Sequence, residues 1–184
     1  METGIIVCGL NGSGKSTLGK ALAEQLGFYF LDIEELYFPK NNPDYLYASP
    51  RSREEVQALL LHELKEHGNF VLASVKGDYG ETVYPFFQYV ILLKVPKKIR
   101  LQRVKNRSYE KFGKRMLPGG DLYEQEKHFF ELVKSKSEDA VDEWARSLNC
   151  PMIQVDGTKP VKETVDMIVN DFLSPIQKGS AVIK

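Results

Sequence analysis

The stretch Gly-Leu-Asn-Gly-Ser-Gly-Lys-Ser-Thr (Gly9–Thr17) follows the apolar run Ile-Ile-Val-Cys at positions 5–8. No other feature constrains the fold as strongly. Thr3–Gly9 is short, continuously apolar and β-branched, which predicts a strand buried on both faces. From Lys15 onward, Leu18, Leu22 and Leu26 recur at helical spacing, and Gly27 stands where that helix should stop. A glycine-rich turn therefore joins a buried strand to a helix. Gly9, Gly14, Lys15 and Ser16 fill the fixed positions of G-x-x-x-x-G-K-[ST]. Glycines let the backbone curl so that successive N–H groups converge on one anion. The helix adds its free N–H groups and the positive end of its dipole. Asn11, Gly12, Ser13, Gly14, Lys15, Ser16 and Thr17 thus predict a polyphosphate cradle. Lys15 is placed to bridge β- and γ-phosphate oxygens, and the Ser16 hydroxyl to ligate Mg²⁺. ATP and Mg²⁺ are the expected cofactors.

The remainder keeps the alternation. Strands are expected at Phe28–Asp32, Asn69–Val75, Gln88–Val95 and Pro151–Val155. Helices are expected at Arg51–Gly68, from Pro96 to about Arg107, from Asp121 as one long helix, and at Pro160–Phe172. Glu34–Pro50 predicts a short helix and then a loop. In the long helix, Glu124 is spaced for a capping box with Asp121, and Leu122, Phe129, Phe130, Val133, Ala140, Val141 and Trp144 make the buried side. The fold class is α/β, a five-stranded parallel sheet in three α/β/α layers. One domain is expected over residues 1–173, with a loose tail at 174–184.

Acids and bases balance at 25 each, so nothing in the net charge draws the chain to DNA or an anionic membrane. Two cysteines make no disulfide framework, and Cys8 reads as a small core residue. The start of the chain has no basic leader, and no run is long enough to span a bilayer, so a reduced cytoplasmic location is expected. Monomer and homodimer stay open.

Neither later apolar strand ends in the Asp-Glu pair usual in motor or AAA-type ATPases, and no Asn-Lys-x-Asp guanine reader occurs. The chain instead resembles the small-molecule kinases of the P-loop class, the relatives of adenylate, shikimate and gluconate kinases. Phe30–Leu36 (FLDIEEL) resembles the D-x-D segment of shikimate kinases. That resemblance makes Asp32 a base or metal-side acid and Glu34 or Glu35 a substrate contact. The residues themselves equally suit a helix start capped by Asp32. Arg100, Arg103 and Arg107 fall on one helix face, followed by Lys111, Lys114 and Arg115. The family carries a basic lid in this place, here about 106–120, and the resemblance casts Arg103 and Arg107 as catalytic arginines. Val155–Val165 resembles the strand-to-helix turn that packs on adenine, with Gly157 allowing close approach.

In a doubly wound sheet, ligands lie beyond the carboxyl ends of the strands. That rule makes Lys76, Asp78, Arg51 and Arg53 candidate acceptor contacts. The expected activity is transfer of the γ-phosphoryl of ATP to a small acceptor. A nucleoside or nucleotide is favoured by the aromatics Tyr37, Phe38, Tyr45 and Tyr47. A hydroxylated metabolite, as in shikimate or gluconate kinases, and a non-catalytic ATP-binding sensor are the alternatives.

Overall fold

Alternation along the first strand sets the layers. In β1 (Gly4–Cys8), Ile5 and Val7 enter one apolar cluster while Ile6 and Cys8 enter another. Successive side chains of a strand point to opposite faces, so both faces of this strand must be covered. The computed structural model describes residues 2–39, 44, 45 and 47–173. The chain runs through α1 (Lys15–Leu26), β2 (Tyr29–Asp32), α2 (Ile33–Tyr37), α3 (Arg53–Glu66), β3 (Phe70–Ser74) and β4 (Tyr89–Lys94). It continues through α4 (Lys97–Phe112), α5 (Tyr123–Ser135), α6 (Asp139–Ser147), β5 (Met152–Asp156) and α7 (Val161–Met167).

All pairings are parallel, in the order β2-β3-β1-β4-β5. One face packs on Val56, Leu60 and Leu64 of α3 and on Val141, Trp144 and Ala145 of α6. The other packs on Leu18, Leu22 and Ala23 of α1 and on Val165, Ile168 and Val169 at the end of the chain's last helical segment. This is the expected three-layer α/β/α sheet. Register places Cys8 opposite both Ser74 and Leu92. The turns after β1 and β3 therefore leave the sheet side by side, joined by a hydrogen bond from the Gly9 amide to the Val75 carbonyl (3.3 Å). Cys8 is fully buried, and burial pushes its thiol up to about 12, so it is an inert core residue.

The lid region differs from expectation. α4 does not stop near Arg107 but continues to Phe112. Gly113 (φ 55) then closes it, and a 3-10 turn follows at Gly113–Met116. The extra turns bury Ser108, a small polar residue that gives no apolar signal. The long helix from Asp121 is two helices, broken between Ser135 and Asp139. Lys136 there is extended (φ −63, ψ 129). No capping box forms at its start, because the helix begins only at Tyr123 with Leu122 as its N-cap, and Asp121 instead accepts from Arg115 Nε (3.0 Å) and Nη2 (2.6 Å). Ala140 is exposed and Phe129 and Phe130 are half-buried, whereas Glu126 is fully buried. The Tyr45 hydroxyl donates to Glu126 Oε1 (2.9 Å). The expected helix at Pro160–Phe172 is present, but it widens to a π turn over Ile168–Phe172. The predicted tail at 174–184 lies outside the described residues. Among the described residues no helix is long and apolar enough to cross a membrane.

Candidate nucleotide and acceptor site

β1 ends at the middle of the sheet, and the loop it launches curls over the start of α1. Gly12 (φ 80) and Gly14 (φ 97) hold left-handed conformations, with Gly14 as the N-cap of α1. A Cβ on Gly12 would strike the Arg100 carbonyl, so α4 presses directly on the loop there. Lys15 Nζ donates to the Leu10 carbonyl (3.2 Å), folding its ammonium back over the loop. Burial pulls the Lys15 ammonium down to about 8. Glu34 and Asp32 oppose the shift, and Arg107 and Lys136 add to it. The buried Ser13 Oγ has no partner among the described residues, which leaves a polar atom for a ligand to satisfy.

Two cavities meet at this loop. One of about 190 Å³ is lined by Asn11, Lys15, Ser16, Glu34 and Arg107 among others. The second, about 230 Å³, is lined by Leu18, Leu93, Gly157, Lys159 and Val161 among others. Gly14, Thr17 and Arg103 line both, so the two form one trough across the loop. Its first half is charged and its second is flanked by aliphatic groups. That is the polarity a nucleoside triphosphate requires. Gly157 permits the join: a Cβ there would lie 2.7 Å from the Ser13 carbonyl oxygen.

The arginine series separates. Arg103 Nη1 reaches the carbonyls of Gly12 (3.4 Å), Ser13 (3.5 Å) and Gly157 (3.1 Å), tying the loop to the turn after β5. Arg107 faces Glu34 of α2 at 3.8 Å. Arg100 does not share their face of solvent. It is 2% exposed and paired with Glu138 at 2.6 Å. Two basic residues farther along, Lys111 and Arg115, are engaged elsewhere. Lys111 donates to the Tyr47 hydroxyl (2.8 Å) and Arg115 to the Asp44 carbonyl (2.8 Å).

On the acceptor side, Asp32 caps α2 by accepting from the Glu34 amide (3.0 Å) through one carboxylate oxygen. Glu34 projects from the first turn into the phosphate cavity. Arg51 donates to the Leu36 carbonyl (2.7 Å), which ties down the end of α2. Lys76 pairs with Asp78 at 2.9 Å, and Arg53 donates to the Asp78 carbonyl. Lys15, Glu34, Arg103 and Arg107 thus converge, whereas Arg53, Lys76 and Asp78 bond among themselves and Arg51 bonds to the end of α2. No group of three acids, histidines or cysteines suited to a metal occurs among the described residues. Ser16 and Asp32 remain the side chains that could share a Mg²⁺ with phosphate and water oxygens.

One residue escaped the sequence reading. Lys136, in the link between α5 and α6, donates to Asn11 Oδ1 (3.0 Å). Burial lowers its pKa; the nearby Glu34 opposes that, and Lys76 adds to it. Among the described residues no carboxylate lies within 4.0 Å of it. Lys136 lies in the break between α5 and α6, where the sequence pattern predicts one continuous helix.

A parallel sheet with this trough at the carboxyl end of its central strand is the fold that P-loop small-molecule kinases share. The chain belongs to the P-loop family described as "AAA domain", which matches residues 5–130. β3 nevertheless ends at Ser74 rather than at an acidic pair. The missing pair therefore marks a member built without it, not a chain outside the family. Over 95% of its length the chain is 29% identical to a protein of Bacillus subtilis described as "Uncharacterized protein YqaC", covering 99% of that protein. A shikimate kinase from Acinetobacter baumannii in complex with shikimate shares the fold at a TM-score of 0.56. The identity is 18%, and 94% of each chain is covered. A deoxyadenosine kinase from M. mycoides with dCMP and dCDP bound gives a TM-score of 0.53 at 20% identity, covering 94% of this chain and 100% of that one.

Proposed function

We propose that this protein is an ATP- and Mg²⁺-dependent phosphotransferase that moves the γ-phosphoryl group to a small acceptor. The observation that carries this reading is the continuous trough. Lys15 and Arg107 stand at its phosphate end, Arg103 at its middle and Gly157 at its base end. Phosphoryl transfer needs positioning and charge stabilisation more than covalent help from the protein. Lys15 holds the β- and γ-phosphates, and the Ser16 hydroxyl would take one position on Mg²⁺. When bound, the metal neutralises charge on the transferring group. Arg103 closes the seam between loop and base turn, and Arg107 adds charge opposite the acceptor. Asp32, anchored as a helix cap through one oxygen, would have its other oxygen to offer to the metal or the acceptor hydroxyl.

The acceptor is small and acidic in this reading. The favoured nucleotide class fits, and so does a hydroxylated acid. A neutral nucleoside offers the Lys136 ammonium no counter-charge beyond the nearby Glu34. Stacking on the loop tyrosines supports the nucleotide only weakly, because Tyr47 already packs on Phe38 (4.9 Å) and Phe129 (6.4 Å). ADP formation should be measured with Mg·ATP and a panel of nucleosides, nucleoside monophosphates and hydroxy acids. Turnover with an acidic acceptor is expected. Saturable Mg·ATP binding without transfer to any acceptor would favour the nucleotide sensor instead, and no Mg·ATP binding would defeat both.

A further inference from the structure

We infer that the Arg100–Glu138 pair is a positioning device for Lys136, fixing the link between α5 and α6 so that the ammonium stands at Asn11 on the phosphate loop. The inference rests on the kinase reading above, in which Lys136 meets an acidic ligand.

Arg100 is unusual for an exposed-looking basic helix. Its side chain is enclosed, with Nε donating to the Val95 carbonyl (3.0 Å) and Nη2 to Glu138 Oε1 (2.6 Å). Its own carbonyl is the surface against which Gly12 packs. Arg100 therefore touches the back of the phosphate loop with its backbone and the start of α6 with its side chain. Glu138 is the residue from which α6 springs, its carbonyl accepting from the amides of Val141 (3.1 Å) and Asp142 (3.2 Å). One turn on, Asp142 pairs with Lys94 at the end of β4 (2.5 Å). Two ion pairs thus staple the N-terminus of α6 to the β4–α4 connection.

Lys136 lies two residues before Glu138. An extended chain advances at most about 3.6 Å per residue, so its Cα cannot stray more than about 7 Å from that of Glu138. Anchoring Glu138 therefore anchors Lys136. What the lysine then holds is a neutral amide oxygen, which orders the ammonium without cancelling its charge. Half-withdrawn from water and unneutralised, it gains most when an anion arrives. The Glu138 side chain itself is 47% exposed. An exposed carboxylate is a poor investment in stability, but this one has a buried guanidinium as its partner.

The test compares Lys136→Ala, Glu138→Ala, the double variant and the conservative Glu138→Gln. Two measurements are made: the Asn11 side-chain amide resonances in the full-length protein, and acceptor KM and kcat with the acceptor that the panel identifies. If the inference holds, Glu138→Ala moves the Asn11 resonances as Lys136→Ala does. Each single variant raises acceptor KM about tenfold with little change in kcat, and the double variant is no worse than either. Glu138→Gln, which keeps an acceptor oxygen for Arg100, recovers most of the loss. Unmoved Asn11 resonances in Glu138→Ala overturn the inference, whether or not the protein turns over. So do multiplicative losses in the double variant, or a fall in melting temperature with KM unchanged. Wild-type protein that binds no Mg·ATP defeats the kinase reading itself, and the Asn11 resonances report on positioning independently of that.

Discussion

The two halves of the site are built by different means. The nucleotide half has a local core: strand, loop and helix run without interruption from Gly4 to Leu26, and this one segment supplies the loop and Lys15, with Arg103 and Arg107 of α4 closing over them. The acceptor half is assembled from α2, α4 and the link before α6, whose contributions lie up to 125 residues from the loop they meet. A local cradle is fixed by backbone geometry. A composite wall is fixed only by side chains that find each other, so it can be retuned by single substitutions. The first half should therefore be intolerant of change, and the second graded in its response.

Lys15→Ala tests the intolerant half most severely. Turnover should fall about 10²–10³-fold, the scale for removing one preorganised charge from a transition state, while thermal unfolding stays close to wild type. Unchanged turnover in an ADP-release assay would remove the mechanism. Arg103→Ala should come next and affect both halves. It frees the Gly157 carbonyl and the loop carbonyls together, so Mg·ATP affinity and turnover should both drop, by about tenfold each. Arg107→Ala should lower turnover while leaving Mg·ATP affinity nearly intact. Calorimetry that found equal affinity losses in the two variants would erase the distinction drawn between them.

The pH dependence sharpens the same contrast. Lys15 titrates near 8 in the free protein, and bound phosphate favours its charged form. Mg·ATP affinity should be flat below about pH 8 and then weaken by up to tenfold per pH unit. Lys15→Ala should abolish that break. For folding the sign is opposite. Between about 8 and the ordinary lysine range the unfolded chain binds the extra proton, so this group's contribution to stability improves as pH rises. The smallest effect is expected at Asp121. Its pairing with Arg115 is exposed, so Asp121→Ala should leave the melting temperature within about 2 °C of wild type.

The same division explains what the sequence disclosed. α1 begins at Lys15 and ends at Leu26 as its pattern requires, because leucine spacing and a terminal glycine are local signals. That the sheet is parallel and covered on both faces follows from strand-helix alternation and the burial of whole strands, whereas its strand order is not a local signal. Arg100 misled because helical spacing reports a shared face and not what covers it; Glu138, 38 positions away, decides that. The break at Lys136 was masked by residues that tolerate helix and loop alike. Glu126 was invisible as a core residue, since the Tyr45 hydroxyl that meets its Oε1 lies 81 positions away.

Trp144 is the only tryptophan in the chain, and it lies on α6, 8% exposed, with its Nε1 unpartnered among the described residues. The helix whose start is stapled behind the phosphate loop thus carries its own fluorophore. Emission from that indole can follow the packing of α6 in real time, with no dye attached and no other tryptophan to obscure it.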